Sequence, residues 1–190
     1  MEDAKGALLM LDFQVGVGDL PYAENAVTQA VKALEAGRKA GMVVIFSKVA
    51  FRPGYPEVST LNQVFATIKE KNVLPSEGSR LLPIMIPREQ EFVVDKKRFS
   101  AFCGSDLELL LRGQDVKHLV IAGLSTSGVI LSTFCEAADK DYQLTILSDA
   151  CADPQDRLHR ELIASLFPRS ANVTTVAEWA APHQTATIVR

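Results

Sequence analysis

Short apolar runs separated by longer amphipathic segments dominate this sequence. Ala7–Leu11 is apolar at every position, and Met42–Phe46 repeats the pattern. Continuous apolar runs, as opposed to alternating ones, are typical of parallel strands covered on both faces. Similar runs recur to the end of the chain, and each predicts a strand. The six predicted strands are 7–11, 42–46, 92–94, 119–122, 144–147 and 173–176.

The segments between these runs predict helices. In the first, Ala26, Ala30, Val31 and Leu34 share one face. Strands that alternate with helices at this spacing predict a doubly wound α/β fold, with a six-stranded parallel sheet in a three-layer α/β/α (Rossmann-like) arrangement. We find no internal repeat and predict a single domain over residues 1–190. The predicted helices are 23–40, 61–70, 106–112, 129–138 and 154–167.

Composition narrows the class of protein. Hydrophobic residues make up 47% of the 190 positions and the net charge is −3, which describes a soluble globular protein and does not favour nucleic-acid binding. No run of apolar residues is long enough to predict a membrane span. The charged start, Met1–Gly6, does not resemble a signal peptide. Three widely spaced cysteines favour reduced thiols. We therefore expect a cytoplasmic protein, with leaderless secretion left open.

Charged and polar residues follow four of the predicted strands. Asp12, Lys96 and Asp149 stand at strand ends, and the polar turn after residue 122 opens a helix. Ligands of parallel sheets bind beyond the carboxyl ends of the strands, and a helix N-terminus there offers N–H groups to negative charge. Each residue also has a structural interpretation: Asp12 as a turn cap, Lys96 as part of a solvated charged run, and Asp149 as a turn residue.

Two further segments adjoin this edge of the predicted sheet. Ser125, Thr126 and Ser127 are all plausible N-caps of the helix after the turn. The segment 49–87 is long and is interrupted by prolines. Excursions of this length in a compact domain usually cover a site. The prolines are Pro53, Pro56, Pro75, Pro83 and Pro87.

Three motifs, taken together, resemble those of a known superfamily. They are Asp12-Phe-Gln14, Lys96–Phe102 with Gly104-x-Asp-Leu107, and Gly123–Thr133 with Asp149-Ala150. In order and spacing they resemble the isochorismatase-like hydrolase superfamily over about residues 7 to 176. The resemblance implies a six-stranded parallel sheet and a homo-oligomer, a dimer or a tetramer. It also implies a cis peptide bond before the site, here at Leu124–Ser125.

One position departs from the pattern that many members of this superfamily share. Those members are cysteine hydrolases with an Asp/Lys/Cys triad, in which the thiolate attacks an amide or imide carbon. Their motif Gly-x-x-Thr-x-x-Cys-Val-x-x-Thr overlays Gly123–Thr133 and places Val129 where the cysteine stands. Cys103 and Cys135 lie elsewhere, and we predict that both are small buried residues. The departure removes covalent acyl transfer.

Isochorismatases resemble this chain in lacking the cysteine, and they hydrolyse an enol ether without a covalent intermediate. That reaction needs a proton on the terminal methylene carbon, which a positioned carboxylic acid can supply. The resemblance makes Asp12 the candidate general acid and Lys96 the residue that orients it. The ammonium lowers the carboxyl pKa whereas burial raises it, and the sequence leaves the balance open.

The substrate of an isochorismatase is a dicarboxylate, so the site should hold a cation. Arg52 aligns with a position that contacts substrate in isochorismatases, where a glutamine stands, and arginine offers a bidentate fork for a carboxylate. Its alternative interpretation is an exposed loop arginine. Phe51 and Tyr55 are expected to wall the pocket, and Gly128 to let the backbone approach a ligand. The other expected substrate-binding residues are Gln14, Ser125 and Val129.

Nicotinamidases of the same superfamily bind a metal through an Asp-x-His pair and a further histidine in the substrate loop. The histidines of this chain are His118, His159 and His183, and none lies in that loop. We therefore expect no metal and no cofactor.

Three hypotheses follow for a small anionic substrate. The first is metal-free hydrolysis of an enol ether, as in isochorismate. The second is hydrolysis of a C–N bond with water in place of the thiol and Asp12 as the base. The third is a binding or scaffold protein that has lost catalysis, against which the retention of both Asp12 and Lys96 speaks.

Overall fold

The computed structural model describes residues 5–72 and 79–184, with backbone alone at 182–184. Its strands form one parallel sheet. They are β1 (Gly6–Leu11), β2 (Val43–Val49), β3 (Phe92–Lys96), β4 (His118–Leu124), β5 (Gln143–Ala152) and β6 (Asn172–Thr174). The order across the sheet is β3-β2-β1-β4-β5-β6. The chain starts in the middle and winds outward in both directions, which confirms the predicted doubly wound α/β fold.

Within residues 5–72 and 79–184, six helices connect and flank the strands. They are α1 (Glu24–Lys39), α2 (Gln63–Lys71), α3 (Leu107–Gly113), α4 (Leu131–Asp139), α5 (Asp156–Glu161) and α6 (Val176–Gln184). Shorter turns adjoin them: 3-10 turns at Pro21–Ala23 and Phe167–Arg169, and π-helical turns at Thr126–Ile130 and Leu162–Leu166. We call the Thr126–Ile130 segment the β4–α4 turn.

Strand β1 shows why its sequence is apolar at every position. Leu8 and Met10 pack into the core on the side of α1 and α6, whereas Ala7, Leu9 and Leu11 pack on the side of α3, α4 and the π-helical turn Leu162–Leu166. Both faces are therefore buried, as expected for a central parallel strand. Helices on both faces of the sheet make the three predicted layers.

Several predicted element bounds are wrong. Strand β5 continues through Ser148 and Asp149 to Ala152, so Asp149 does not mark a strand end. Instead its Oδ1 accepts a hydrogen bond of 2.8 Å from the backbone N–H of Val176, the first residue of α6. The predicted helix 129–138 begins in a π-helical turn, and the predicted helix 154–167 divides into three short segments. The sequence interpretation also missed α6.

The long segment between β2 and β3 has a small core of its own. Val49, Phe51, Tyr55, Val58 and Phe65 form a buried cluster that holds α2 against the end of the sheet. We predicted that the segment 49–87 covers a site. Part of it, residues 73–78 with Pro75, lies outside the described residues. The single domain over 1–190 stays a prediction. Within the described ranges, no helix is both long and apolar enough to cross a bilayer.

Gly123, in β4, is a position where packing requires glycine. A Cβ there would overlap the carbonyl oxygen of Leu11 and lie 2.6 Å from the Leu11 Cβ and 2.9 Å from Ile130 Cδ1. Because the obstacle includes backbone, we expect Gly123→Ala to lower the free energy of unfolding by about 3 kcal/mol or more. Gly113→Ala is the matched control, since its Cβ would meet nothing within 4 Å. Urea unfolding measures both, and equal midpoints for the two variants would contradict the packing argument.

Candidate active site

Asp12 is the first residue after β1, and the backbone there leaves the sheet sharply. Its φ of 56° lies in the left-handed region, and its N–H donates to the Ser47 carbonyl oxygen at 3.0 Å. Aspartate tolerates this conformation better than most residues. The side chain is buried, with 4% of the residue's surface exposed. The turn therefore places a carboxyl group just beyond the carboxyl end of β1, where it is shielded from bulk solvent.

Lys96, the last residue of β3, pairs with this carboxyl. Its Nζ lies 2.8 Å from Asp12 Oδ2, and the lysine is fully buried. Nζ also donates to the carbonyl oxygens of Arg98 at 2.9 Å and Phe99 at 3.0 Å. An ammonium has three N–H donors, so all three are used. The other carboxyl oxygen, Asp12 Oδ1, accepts 2.9 Å from Ser47 Oγ.

Two opposing effects set the pKa of Asp12. Burial raises the pKa because it disfavours the charged form, whereas Lys96 and the hydrogen bond from Ser47 lower it. Burial is the largest effect, and the pKa is raised above its ordinary value. At a given pH, a larger fraction of Asp12 is therefore protonated than of an exposed aspartate.

The loop after Lys96 is held by helix α4. Ser100 Oγ donates to Glu136 Oε2 at 2.5 Å, and the Ala101 N–H donates to Thr133 Oγ1 at 3.0 Å. Since the carbonyl oxygens that receive Lys96 belong to this loop, these bonds fix the ammonium indirectly. Sequence reasoning missed this contribution of Thr133, as it missed Ser47. Both are polar residues that stand in buried positions of apolar segments, which is the signal that could have identified them.

The β4–α4 turn lies beside Asp12, because Leu11 pairs with Gly123 in neighbouring strands. The Leu124–Ser125 peptide bond is cis, which confirms that expectation. Ser125 is extended and precedes the turn, but its side chain makes no capping hydrogen bond. The first N–H groups of a helical turn have no acceptor within it. Of these, the Ser127 N–H is taken by Asp153 Oδ2 at 2.7 Å.

Gly128 and Val129 lie inside the turn. A Cβ on Gly128 would stand 3.0 Å from Ser125 Oγ and 3.2 Å from the Phe99 ring, so glycine allows this close approach. Val129 is buried in the core cluster that also contains Leu11 and Phe134. Position 129, which the motif overlay predicts to stand in the place of the cysteine, therefore carries a buried alkyl group without a nucleophilic atom.

The three cysteines differ in how accessible and how acidic their thiols are. Cys103 and Cys135 are exposed, so the prediction that both are buried is wrong. Cys103 lies in the loop after β3 and Cys135 on α4. The third, Cys151, is buried, and burial raises the pKa of its thiol to about 12. A thiol with that pKa holds almost no thiolate near neutral pH.

The predicted pocket walls pack largely against each other. The rings of Phe51 and Tyr55 are 5.2 Å apart inside the buried cluster of the β2–β3 segment, and Tyr55 Oη donates to Asn72 Oδ1 at 2.8 Å. Arg52 extends to solvent with 73% of its side chain exposed, and its Nη1 is 2.6 Å from Glu57 Oε1. An anionic substrate would have to compete with Glu57 for this guanidinium.

Gln14 is the most enclosed of the predicted substrate-binding residues. It is fully buried, and its Oε1 accepts 2.8 Å from the backbone N–H of Val49. Its Nε2 has no hydrogen-bond partner among the described residues. A buried amide donor without an acceptor is costly, so this group is available to an acceptor that reaches it.

The histidine side chains that the structure describes bond to threonines and not to Asp12. His118 bonds to Thr145 on β5 and His159 to Thr126, while the side chain of His183 lies outside the described residues. Across the described ranges, no group of three or more His, Cys, Asp or Glu side chains is arranged to hold a metal ion.

The sequence model of the Isochorismatase domain matches residues 6–178. The chain belongs to the isochorismatase family. This confirms the resemblance drawn from the three motifs and identifies the protein as a hydrolase of that family. The sheet described above is therefore the fold of this family, and this member has valine at position 129.

Individual members of the isochorismatase family resemble the chain over nearly its whole length. An uncharacterized isochorismatase family protein, YecD of Escherichia coli O157:H7, is 29% identical to this chain, and the alignment covers 90% of this chain and 93% of YecD. A maleamate amidohydrolase of Pseudomonas putida is 27% identical, covering 90% and 83%. The solved structure of a family member from Burkholderia thailandensis is 26% identical with a TM-score of 0.81, covering 96% and 97%.

The buried ion pair makes a prediction about stability. Removing one partner leaves the other charge buried and unpaired, so we expect Lys96→Met to lower the free energy of unfolding by about 3–5 kcal/mol. Lys48→Met is the matched control: Lys48 pairs at 2.7 Å with Asp95, whose side chain is half exposed. That pair should contribute less than about 1 kcal/mol. Denaturant unfolding at neutral pH measures both losses, and losses of equal size would contradict this account of the pair.

Proposed function

We propose that the protein hydrolyses the enol ether of a small carboxylate such as isochorismate, with Asp12 as general acid and no covalent enzyme intermediate. The observation that carries the proposal is the buried Asp12–Lys96 pair beside a turn whose cysteine position holds Val129. In this proposal Asp12 and Lys96 supply the acid–base chemistry, and Val129 offers no nucleophile. Enol ether hydrolysis needs the first and has no use for the second.

The chemistry follows from the two states of Asp12. In its protonated form the carboxyl gives a proton to the terminal methylene carbon of the vinyl ether, and the alkene electrons form that C–H bond. The resulting oxocarbenium ion adds water, which loses a proton. The hemiketal then collapses to pyruvate and an alcohol. Burial favours the neutral acid before transfer, while Lys96 and Ser47 stabilise the carboxylate afterwards.

Substrate contacts in this proposal come from residues around the pair. Arg52 would hold a substrate carboxylate in competition with Glu57, whose side chain is 15% exposed and lies 2.6 Å from Arg52 Nη1. Phe51 and Tyr55 would wall the pocket. The remaining contacts are assigned to Gln14, Ser125, Gly128 and Val129, with Gln14 Nε2 as a buried donor.

Hydrolysis of a C–N bond is the second candidate. The name of the maleamate amidohydrolase relative supports it, as that protein acts on a small anionic amide. In this mechanism Asp12 is a carboxylate that activates water, so it must be deprotonated. The two candidates therefore require opposite protonation states of one residue.

Asp12→Asn tests both mechanisms. We expect turnover to fall by at least about 10²–10⁴-fold, the usual contribution of acid–base catalysis. The matched control is Asp95→Asn, an exposed carboxylate on the strand of Lys96, which should leave turnover unchanged. Pyruvate release from isochorismate, coupled to lactate dehydrogenase, is the assay. Near-normal kcat in Asp12→Asn would exclude Asp12 as the acid.

The pH profile of the native protein separates the candidates. A general acid works only while protonated, so kcat for ether cleavage should fall as pH rises through the raised pKa of Asp12. A general base works only while deprotonated, so ammonia release from an amide should rise over the same range. Absence of pyruvate above the Asp12→Asn blank would reject the ether reaction, and ammonia from an amide panel would favour the second candidate.

Thiol alkylation tests the non-covalent mechanism. Iodoacetamide should modify the exposed Cys103 and Cys135 and spare Cys151, whose buried thiol has a pKa of about 12. Turnover should survive, because no thiol takes part. The control is the Cys103→Ser/Cys135→Ser variant, in which alkylation should have no effect on rate. Inactivation of the folded native protein, absent in that variant, would restore a cysteine mechanism.

A further inference from the structure

Helix α5 is joined to the β4–α4 turn by one hydrogen bond between side chains. Thr126 Oγ1 and His159 Nδ1 are 2.8 Å apart. Thr126 is fully buried, whereas His159 is half-buried and lines a cleft of about 320 Å³. The next residue, Ser127, is held as well, since its N–H and Oγ both donate to Asp153 Oδ2 at 2.7 Å. Two consecutive residues of the turn are therefore fixed from outside it.

The direction of the Thr126–His159 bond follows from the environment of Thr126. A buried hydroxyl proton needs an acceptor. Within the part of the chain that the structure describes, His159 is the hydrogen-bond partner of the Thr126 side chain. Thr126 is thus the donor and Nδ1 the acceptor, which places the proton of the neutral ring on Nε2.

The surroundings of His159 favour the neutral form of the ring. Burial lowers its pKa; Asp156 and Asp153 oppose that effect, and Arg160 adds to it. The cleft also contains Tyr22 and Cys151, whose pKa values are both raised by burial, so they carry no charge near neutral pH. These are the titratable and charged groups that face the ring from the elements packed around it.

We propose that His159 is a positioning residue: its neutral ring accepts the Thr126 hydroxyl and so holds the β4–α4 turn in the conformation that adjoins Asp12. Protonation puts a hydrogen on Nδ1, and the ring can then no longer accept. The turn loses the bond that fixes Thr126. The catalytic consequence rests on the proposed function, because the turn matters to turnover only if the reaction takes place beside Asp12.

An NMR titration tests the bond without any substrate. In ¹⁵N-labelled native protein between about pH 5 and pH 8, the range over which histidines titrate, the amides of Ser127 and Gly128 should shift with the midpoint of the His159 ring. In Thr126→Val, which keeps the shape and removes the hydroxyl, those amides should stop following His159 while the ring still titrates. Turn amides that ignore His159 in the native protein, or follow it equally in Thr126→Val, would overturn the proposal.

His118 provides the internal control. It is also half-buried and hydrogen-bonded to a threonine, Thr145, at 2.9 Å. However, it is the first residue of β4 and lies at the other end of that strand from the β4–α4 turn. Its titration should not reach the turn amides, and His118→Gln should leave their response to pH unchanged. A turn response that disappears in His118→Gln would assign the effect to the wrong histidine and overturn the proposal.

Kinetics extend the test to catalysis. His159→Leu should lose about two- to tenfold in kcat, the range that one neutral hydrogen bond is worth. His159→Asn keeps an acceptor near the place of Nδ1, so it should retain kcat. In the native protein, protonation of His159 should lower kcat at low pH, and this fall should be absent from His159→Asn. Native kcat and pH profile in His159→Leu would overturn the positioning role. If no substrate is hydrolysed, the proposed function fails, and the NMR titration still decides whether His159 holds the turn.

Discussion

Asp12 and Lys96 form a pair of opposite charges that is almost completely buried at the carboxyl ends of the strands. The surrounding structure depends on this pair. Burying two ions costs several kcal/mol each unless their mutual attraction is supplemented by further hydrogen bonds. Here the supplement comes from Ser47 and from two backbone carbonyl groups. The loop that supplies those carbonyl groups is in turn anchored to α4. Packing in this region therefore serves an electrostatic requirement.

Sheet register explains how the pair forms at all. Leu11 pairs with Ser47 across β1 and β2, and Val49 pairs with Lys96 across β2 and β3. A carboxylate, a hydroxyl and an ammonium thus meet near the carboxyl ends of these three neighbouring strands: Asp12 directly after β1, Ser47 within β2 and Lys96 at the end of β3. A displacement of one residue in any register would turn one of these side chains to the other face. The hydrophobic core fixes that register, so it also fixes the site.

The sequence predicted the fold well because its signal is local and repeated. Each apolar run is long enough to define a buried strand by itself, and strand ends direct attention to Asp12 and Lys96. Such local reasoning could not predict hydrogen bonds between side chains that are far apart in the sequence. Ser47 belongs to an apolar strand, and His159 lies 33 positions from the Thr126 that it contacts. Similarly, Ser148 and Asp149 appeared to end β5, although tertiary pairing carries the strand past them.

The saturated coordination of Lys96 has a consequence for how protons enter and leave the site. Each of its three N–H bonds already has an acceptor, and the ammonium is sealed from water. It behaves as a fixed counter-ion, with no spare donor for a substrate and no path to relay a proton. In the mechanism that we propose, proton transfer would then take place at the Asp12 carboxyl alone. Under that proposal, a change from acid to base catalysis would require a change at this one carboxyl, while the contacts of the lysine beside it could stay the same.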